Sequence, residues 1–190
     1  MYPKETSCCF TGHRPAKLPW GQREDDPRCI ELKLELAARL EAIYTLGYRH
    51  FICGMAIGCD MYFAEAVLAL RELHPDVTLE AAVPCGTQPD KWARVQRQRY
   101  NRLLDSCDSV TVLQYGYTDD CMMLRNRYMV DHSSLLLACF DGRPGGDDEH
   151  NCLCRTAGRK CGNDRTRYVI PESRKTLTAF YSAGGASNSA

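Results

Sequence analysis

The chain has 190 residues, 24 Lys plus Arg against 24 Asp plus Glu, and 12 cysteines. That length fits one domain with a sizeable core. The balanced charge argues against a polynucleotide binder, which normally carries a basic excess. No stretch is apolar for long enough to span a membrane or to form the core of a signal peptide, so the expectation is a cytoplasmic protein with no membrane contact.

In chain order, residues 7–12 (SCCFTG) read as a first strand. Asp26 and Pro27 supply an N-cap and an N1 proline, after which Ile30, Leu36, Ala37, Leu40, Ile43 and Tyr44 recur at helical spacing until Gly47 closes the helix. Residues 49–53 read as a second strand and 59–72 as a second helix. Residues 78–84 form a third strand, 90–105 an arginine-rich helix, and 109–114 a fourth strand. A further helix follows at 120–131, then a fifth strand at 133–141 and a sixth at 167–171. The cysteines, among them Cys8, Cys9, Cys53, Cys59, Cys107 and Cys139, fall inside these elements rather than in a loop-rich scaffold. They read as reduced, small apolar core residues.

Strands alternating with helices predict βαβ units. The fold class is α/β, a Rossmann-like doubly wound and mainly parallel sheet in a single domain over 1–180. Residues 181–190, small and polar, read as a disordered tail. No internal repeat or linker divides the chain, and the sequence leaves homo-oligomerisation open.

In open α/β sheets ligands bind beyond the carboxyl ends of the strands. Thr11, Gly12, His13 and Arg14 follow the first strand. Gly54 to Asp60 follow the second, as an apolar run stopping at a glycine turn that opens a helix. Gln88 and Trp92 follow the third, and Gly142, Gly145 and Gly146 the fifth. Such a turn collects free N–H groups and the positive end of a helix dipole, which suits a phosphate. Arg14 adds a guanidinium fork for the same group. Taken singly, Gly12, Gly54 and Gly58 are as well explained as tight turns; three on one edge favour a ligand. Asp60 reads either as a plain helix cap or as an acceptor for a ribose hydroxyl, and it is the candidate catalytic carboxylate. Trp92 reads as core or, preferably, as a base-stacking ring. Arg94, Arg97, Arg99 and Arg102 read as a solvated face in preference to a nucleic-acid contact. No GxSxG, HExxH, Walker A or strict GxGxxG motif occurs.

TGHRP at 11–15, GMAIGCD at 54–60, Pro84 with Gln88 and Trp92, and LRNRYMVDHSSLLLACFDGRPGG at 124–146 occur in that order. Together they resemble the YpsA-like family of the SLOG superfamily, over about the first 146 residues. The GxAxGxD turn also occurs in the DNA-processing protein DprA, a distant relative. The resemblance implies a Rossmann-like fold and a pocket for a nucleotide or nucleotide derivative of the ADP-ribose or NAD type, with no further cofactor required. It carries Gly12, Arg14, Gly54, Gly58, Asp60, Trp92, Arg125, Asn126, Asp131 and Gly146 to the ligand side. Distant members cleave nucleoside monophosphates at the N-glycosidic bond, and others bind single-stranded DNA.

The pattern breaks after Gly146, where DDEHNCLC brings three acids to a turn that should face a phosphate. Codons for Asp147 through Cys154, read one base later, permit T-M-N-T-I-A-Y-A, a family-like phosphate turn. The segment 147–166 is therefore expected to be frame-shifted relative to its relatives and irregular, a reading that sequencing the gene decides. His150, Cys152, Cys154 and Cys161 lack a standard zinc spacing, and no metal site is expected. The expected function is a nucleotide-binding sensor or signalling module. The alternatives are a nucleotide N-glycosidic hydrolase, disfavoured because PGG at 144–146 leads into DDE, and a DprA-like single-stranded DNA binder.

Overall fold

A computed structural model of the chain describes residues 2–139 and 167–170. The expectations for Gly145, Gly146, the 147–166 segment, the His150/Cys152/Cys154/Cys161 set and the tail at 181–190 lie outside the described residues.

Six strands form one sheet: β1 (Ser7–Gly12), β2 (His50–Cys53), β3 (Thr78–Val83), β4 (Ser109–Val112), β5 (Leu135–Cys139) and β6 (Arg167–Ile170). Their spatial order is β4-β3-β2-β1-β5-β6, and every neighbouring pair is parallel. Among the described residues four α-helices join β1 to β5 in turn: α1 (Pro27–Thr45), α2 (Cys59–Leu73), α3 (Arg94–Asp105) and α4 (Cys121–Asp131). The chain builds outward from β1 to β4, then crosses back to place β5 on the other side of β1. The topological switch point, where such folds open a crevice, therefore lies between the carboxyl ends of β1 and β5.

Strand alternation sorts the core into two layers. Cys8, Phe10, Phe51, Cys53, Leu79, Ala81, Leu135 and Leu137 face α1, α2 and α3. Cys9, Ile52, Ala82 and Leu136 face Met129 and Val130 of α4. Both faces of the sheet are covered, which is why β1, β2 and β5 are almost wholly apolar.

The start of α1 follows local chemistry: the Asp26 side chain accepts from the Arg28 N–H, and Pro27 needs no donor. Its buried stripe is Cys29, Leu32, Leu36, Leu40 and Ile43. Ile30 is 47% exposed and Ala37 faces solvent, so the expected stripe was partly misaligned. α3 begins at Arg94 rather than at residue 90. Residues 89–93 are spent on a turn in which the Trp92 N–H donates to the Pro89 carbonyl. Nine cysteines among the described residues are thiols outside any disulfide, and all but Cys107 are buried.

Candidate functional site

The turn between β2 and α2 is the centre of the carboxyl edge. Met55 and Gly58 both take positive φ, 55° and 102°. Gly58 is required there twice over, because a Cβ would also fall 2.8 Å from the His13 carbonyl oxygen. The β1–α1 and β2–α2 connections therefore pack backbone to backbone, and the Cys59 N–H donates to that same carbonyl at 3.2 Å.

Asp60 lies one residue inside α2 and is buried. Its carboxylate accepts from the Ala56 N–H at 3.1 Å. It thus ties the turn to the first turn of α2 from within. Gln88, from the loop after β3, donates through Nε2 to the carbonyls of Gly54 and Met55, each at 3.3 Å.

Arg125 enters from α4. A Cβ on Gly54 would fall 1.3 Å from Arg125 Nη1, so the guanidinium occupies the space that glycine leaves empty. Its Nε donates to Asn126 Oδ1 at 2.8 Å, and its nearest carboxylate is Asp60, at 3.6 Å from Nη1. That separation is too long for a hydrogen bond, and Nη1 is buried with no hydrogen-bond partner. Burial pushes the Arg125 guanidinium down from its ordinary value; Asp60 opposes this and Arg14 adds to it. Arginine nonetheless remains a cation. Arg14 is exposed, and its Nη2 reaches Met122 Sδ at 3.7 Å, one helical turn from Arg125 along α4. The guanidiniums of Arg14 and Arg125 thus approach each other at the end of α4 that opens at Asp120, and Asp60 is the carboxylate that faces Arg125.

Gly12, His13, Arg14, Gly54, Gly58, Asp60, Gln88, Arg125 and Asn126 thus come together around one crevice. His13 is buried, and its carbonyl accepts from the first N–H of α2. Asp131 does not join them. It is the exposed last residue of α4, near the amino edge where β5 begins. Trp92 is half-buried and meets Tyr100 edge to face at 5.3 Å, which ties it to the core. Of the four arginines, Arg99 is not on a solvated face: it pairs with Glu24 and Glu65. Sequence reasoning missed Met55 and Met122. A positive φ at a non-glycine residue and a thioether beneath a guanidinium leave no local pattern.

A second cavity, of about 300 Å³, is lined by Tyr2, His50, Glu80, Ser109, Thr111, Tyr128 and His132. Its charged group is already satisfied: Glu80 accepts from His50, Thr111 and Tyr128. The site around Arg125, whose Nη1 is buried without a hydrogen-bond partner, is the better candidate. Among the described residues no cluster of His, Cys, Asp or Glu is arranged for a metal, and no helix is long and apolar enough to cross a membrane.

A parallel sheet with a switch-point crevice, a glycine turn opening α2 and arginines at its rim define a Rossmann-like α/β protein. The sequence pattern of the YspA SLOG family matches residues 8–157, and the chain belongs to that family. It is similar to the uncharacterized SPbeta prophage-derived protein YoqJ of Bacillus subtilis, 29% identical over 141 residues, covering 67% of this chain and 81% of that protein. A UPF0398 protein of Bacillus pumilus is 26% identical over 142 residues, covering 74% of this chain and 76% of the relative. Among solved structures, DNA processing protein A from Helicobacter pylori, described for its single-stranded DNA binding mode, superposes with a TM-score of 0.57 at 12% identity. That match covers 92% of this chain and 68% of the other, and it speaks to the fold alone.

Proposed function

We propose that the chain binds a nucleotide or nucleotide derivative of the ADP-ribose or NAD type in this crevice and acts as a ligand sensor or signalling module. One observation carries the reading: the buried Arg125 guanidinium, seated on Gly54 with Nη1 unbonded and its nearest carboxylate at 3.6 Å. A buried cation with incomplete compensation is costly, and a phosphate oxygen is its natural complement. Arg14 supplies a second donor fork at the rim, and the amino end of α2 adds the positive end of its dipole.

The hydrolase alternative has weaker support, because the Asp60 carboxylate is engaged by Ala56 and faces a cation. Single-stranded DNA is the second reading. It draws on the fold shared with a protein described as binding such DNA, and on the exposed Arg94, Arg97 and Arg102.

Titration of ADP-ribose, NAD, AMP and a short DNA strand against the protein and its Arg14→Ala variant separates these. Nucleotide binding weakened about tenfold or more by Arg14→Ala is expected. No nucleotide binding by the unaltered protein overturns the reading. Free base released from AMP favours the hydrolase, and DNA binding that falls steeply with salt favours the second reading.

A further inference from the structure

We propose that Cys59 and Cys139 form a peroxide-responsive disulfide site in the floor of the crevice, and that closing it weakens binding of the anionic ligand. The second half of this proposal rests on the ligand reading above. The two residues are 80 positions apart, yet their Sγ atoms lie 3.7 Å from each other. Cys59 opens α2 immediately after Gly58, and Cys139 ends β5 in register with Gly12.

Gly12 is what makes the encounter possible. A Cβ there would fall 2.5 Å from the Cβ of Cys59. The bare Cα of β1 lets the Cys59 side chain reach across to β5, which any larger residue at position 12 would prevent. The pair therefore spans the switch point, beneath the turn that carries the candidate anion site.

The chemistry balances with hydrogen peroxide as the oxidant. One thiolate attacks a peroxide oxygen, breaking the O–O bond, to give a sulfenic acid and hydroxide, which takes up the thiol's proton as water. The second thiolate attacks that sulfur, forming the S–S bond and expelling a second hydroxide, which likewise becomes water. Two thiols are oxidised by two electrons and one peroxide is reduced. Both cysteines are fully enclosed, so the reagent has to be small and uncharged; a bulky disulfide such as oxidised glutathione does not fit.

Bonding draws the sulfurs from contact to about 2.05 Å, a movement of more than 1 Å. Cys59 cannot move alone. Its N–H is bonded to the His13 carbonyl, and Gly58 abuts that oxygen. The shift passes to the first turn of α2 and to the backbone that carries Arg14. A displacement of about 1 Å takes a donor out of the ~2.7–2.9 Å range of a charge-assisted hydrogen bond, and losing one such bond weakens binding roughly tenfold to a hundredfold.

The test uses the full chain, reduced and then treated with hydrogen peroxide or with oxidised glutathione. Peptide mapping by mass spectrometry locates disulfides, and nucleotide affinity is measured before and after. The expected result is a peptide pair joined through residues 59 and 139 after peroxide only, with affinity about tenfold weaker or more, both reversed by dithiothreitol. Cys139→Ala should bind the nucleotide and lose the response to peroxide; Cys59→Ser gives the same peptide result should Cys139→Ala fail to fold.

Unchanged thiols, or linkage through Cys85 and Cys121 instead, overturns the proposal. So does linkage of 59 to 139 without a change in affinity. Reduced protein that binds no nucleotide overturns the ligand reading and the coupling with it, while the peptide map still decides the disulfide.

Discussion

Arg125 Nη1 lies where the Cβ of any residue but glycine at position 54 would sit, 1.3 Å from that ideal position. Gly54 is not held in a left-handed conformation, so its glycine is demanded by a neighbour rather than by its own backbone. Gly54→Ala should therefore fold, yet expel the guanidinium. Nucleotide affinity is expected to fall at least about tenfold, as for loss of a charge-assisted bond of about 1.5–3 kcal/mol. Titration with circular dichroism as the folding control checks this; unchanged affinity would remove Arg125 from the site.

Gly58 makes the opposite case. Its φ of 102° and a Cβ position 2.8 Å from the His13 carbonyl load the cost onto the backbone. Gly58→Ala should lose about 1–3 kcal/mol of stability, seen as a lower denaturation midpoint.

Glu80 governs the acid limb. Burial acts to raise its carboxyl, but hydrogen bonds from His50, Tyr128 and Thr111 outweigh it and hold the group at about 2, against 4.5 ordinarily. A depressed carboxylate stabilises above its unfolded value and loses that contribution as pH falls from about 4.5 towards about 2. The full term is on the order of 3 kcal/mol. Glu80→Gln should flatten the fall in stability over that window. A variant whose acid unfolding matches that of the unaltered protein would refute the assignment.

Trp92 rests against Tyr100, edge to face. Trp92→Ala should cost about 2 kcal/mol, below the 3–5 kcal/mol of a fully buried tryptophan because this ring is only half-buried. Thermal unfolding measures it, and a shift under 1 °C would detach the ring from the core.

The element order was readable because its signals are local. Asp26 before Pro27 fixes where α1 begins, and apolar runs bounded by glycine mark β1 and β2. The misreadings were local signals overridden from a distance. The arginine-rich helix reads from residue 90, but residues 89–93 close a turn that leaves Trp92 against Tyr100. Ile30 fits the helical period of α1, yet the stripe that meets the sheet starts at Cys29. The bond from the Ala56 N–H to the Asp60 carboxylate is likewise invisible in the sequence, because it depends on how the turn folds.

The sequence by itself determined an α/β protein with a glycine turn between β2 and α2, since caps, periodicity and glycine placement act over a few residues. It also carried the family pattern. Only the tertiary structure decided that β5 lies beside β1 and that Arg125 fills the space over Gly54. It alone showed that Asp131, at the end of α4, lies apart from the other candidate residues, and it alone brought Cys59 to Cys139. These are contacts between residues far apart in the chain, fixed when helices pack on a twisted sheet, and no short-range pattern encodes which side chain will occupy the space another leaves.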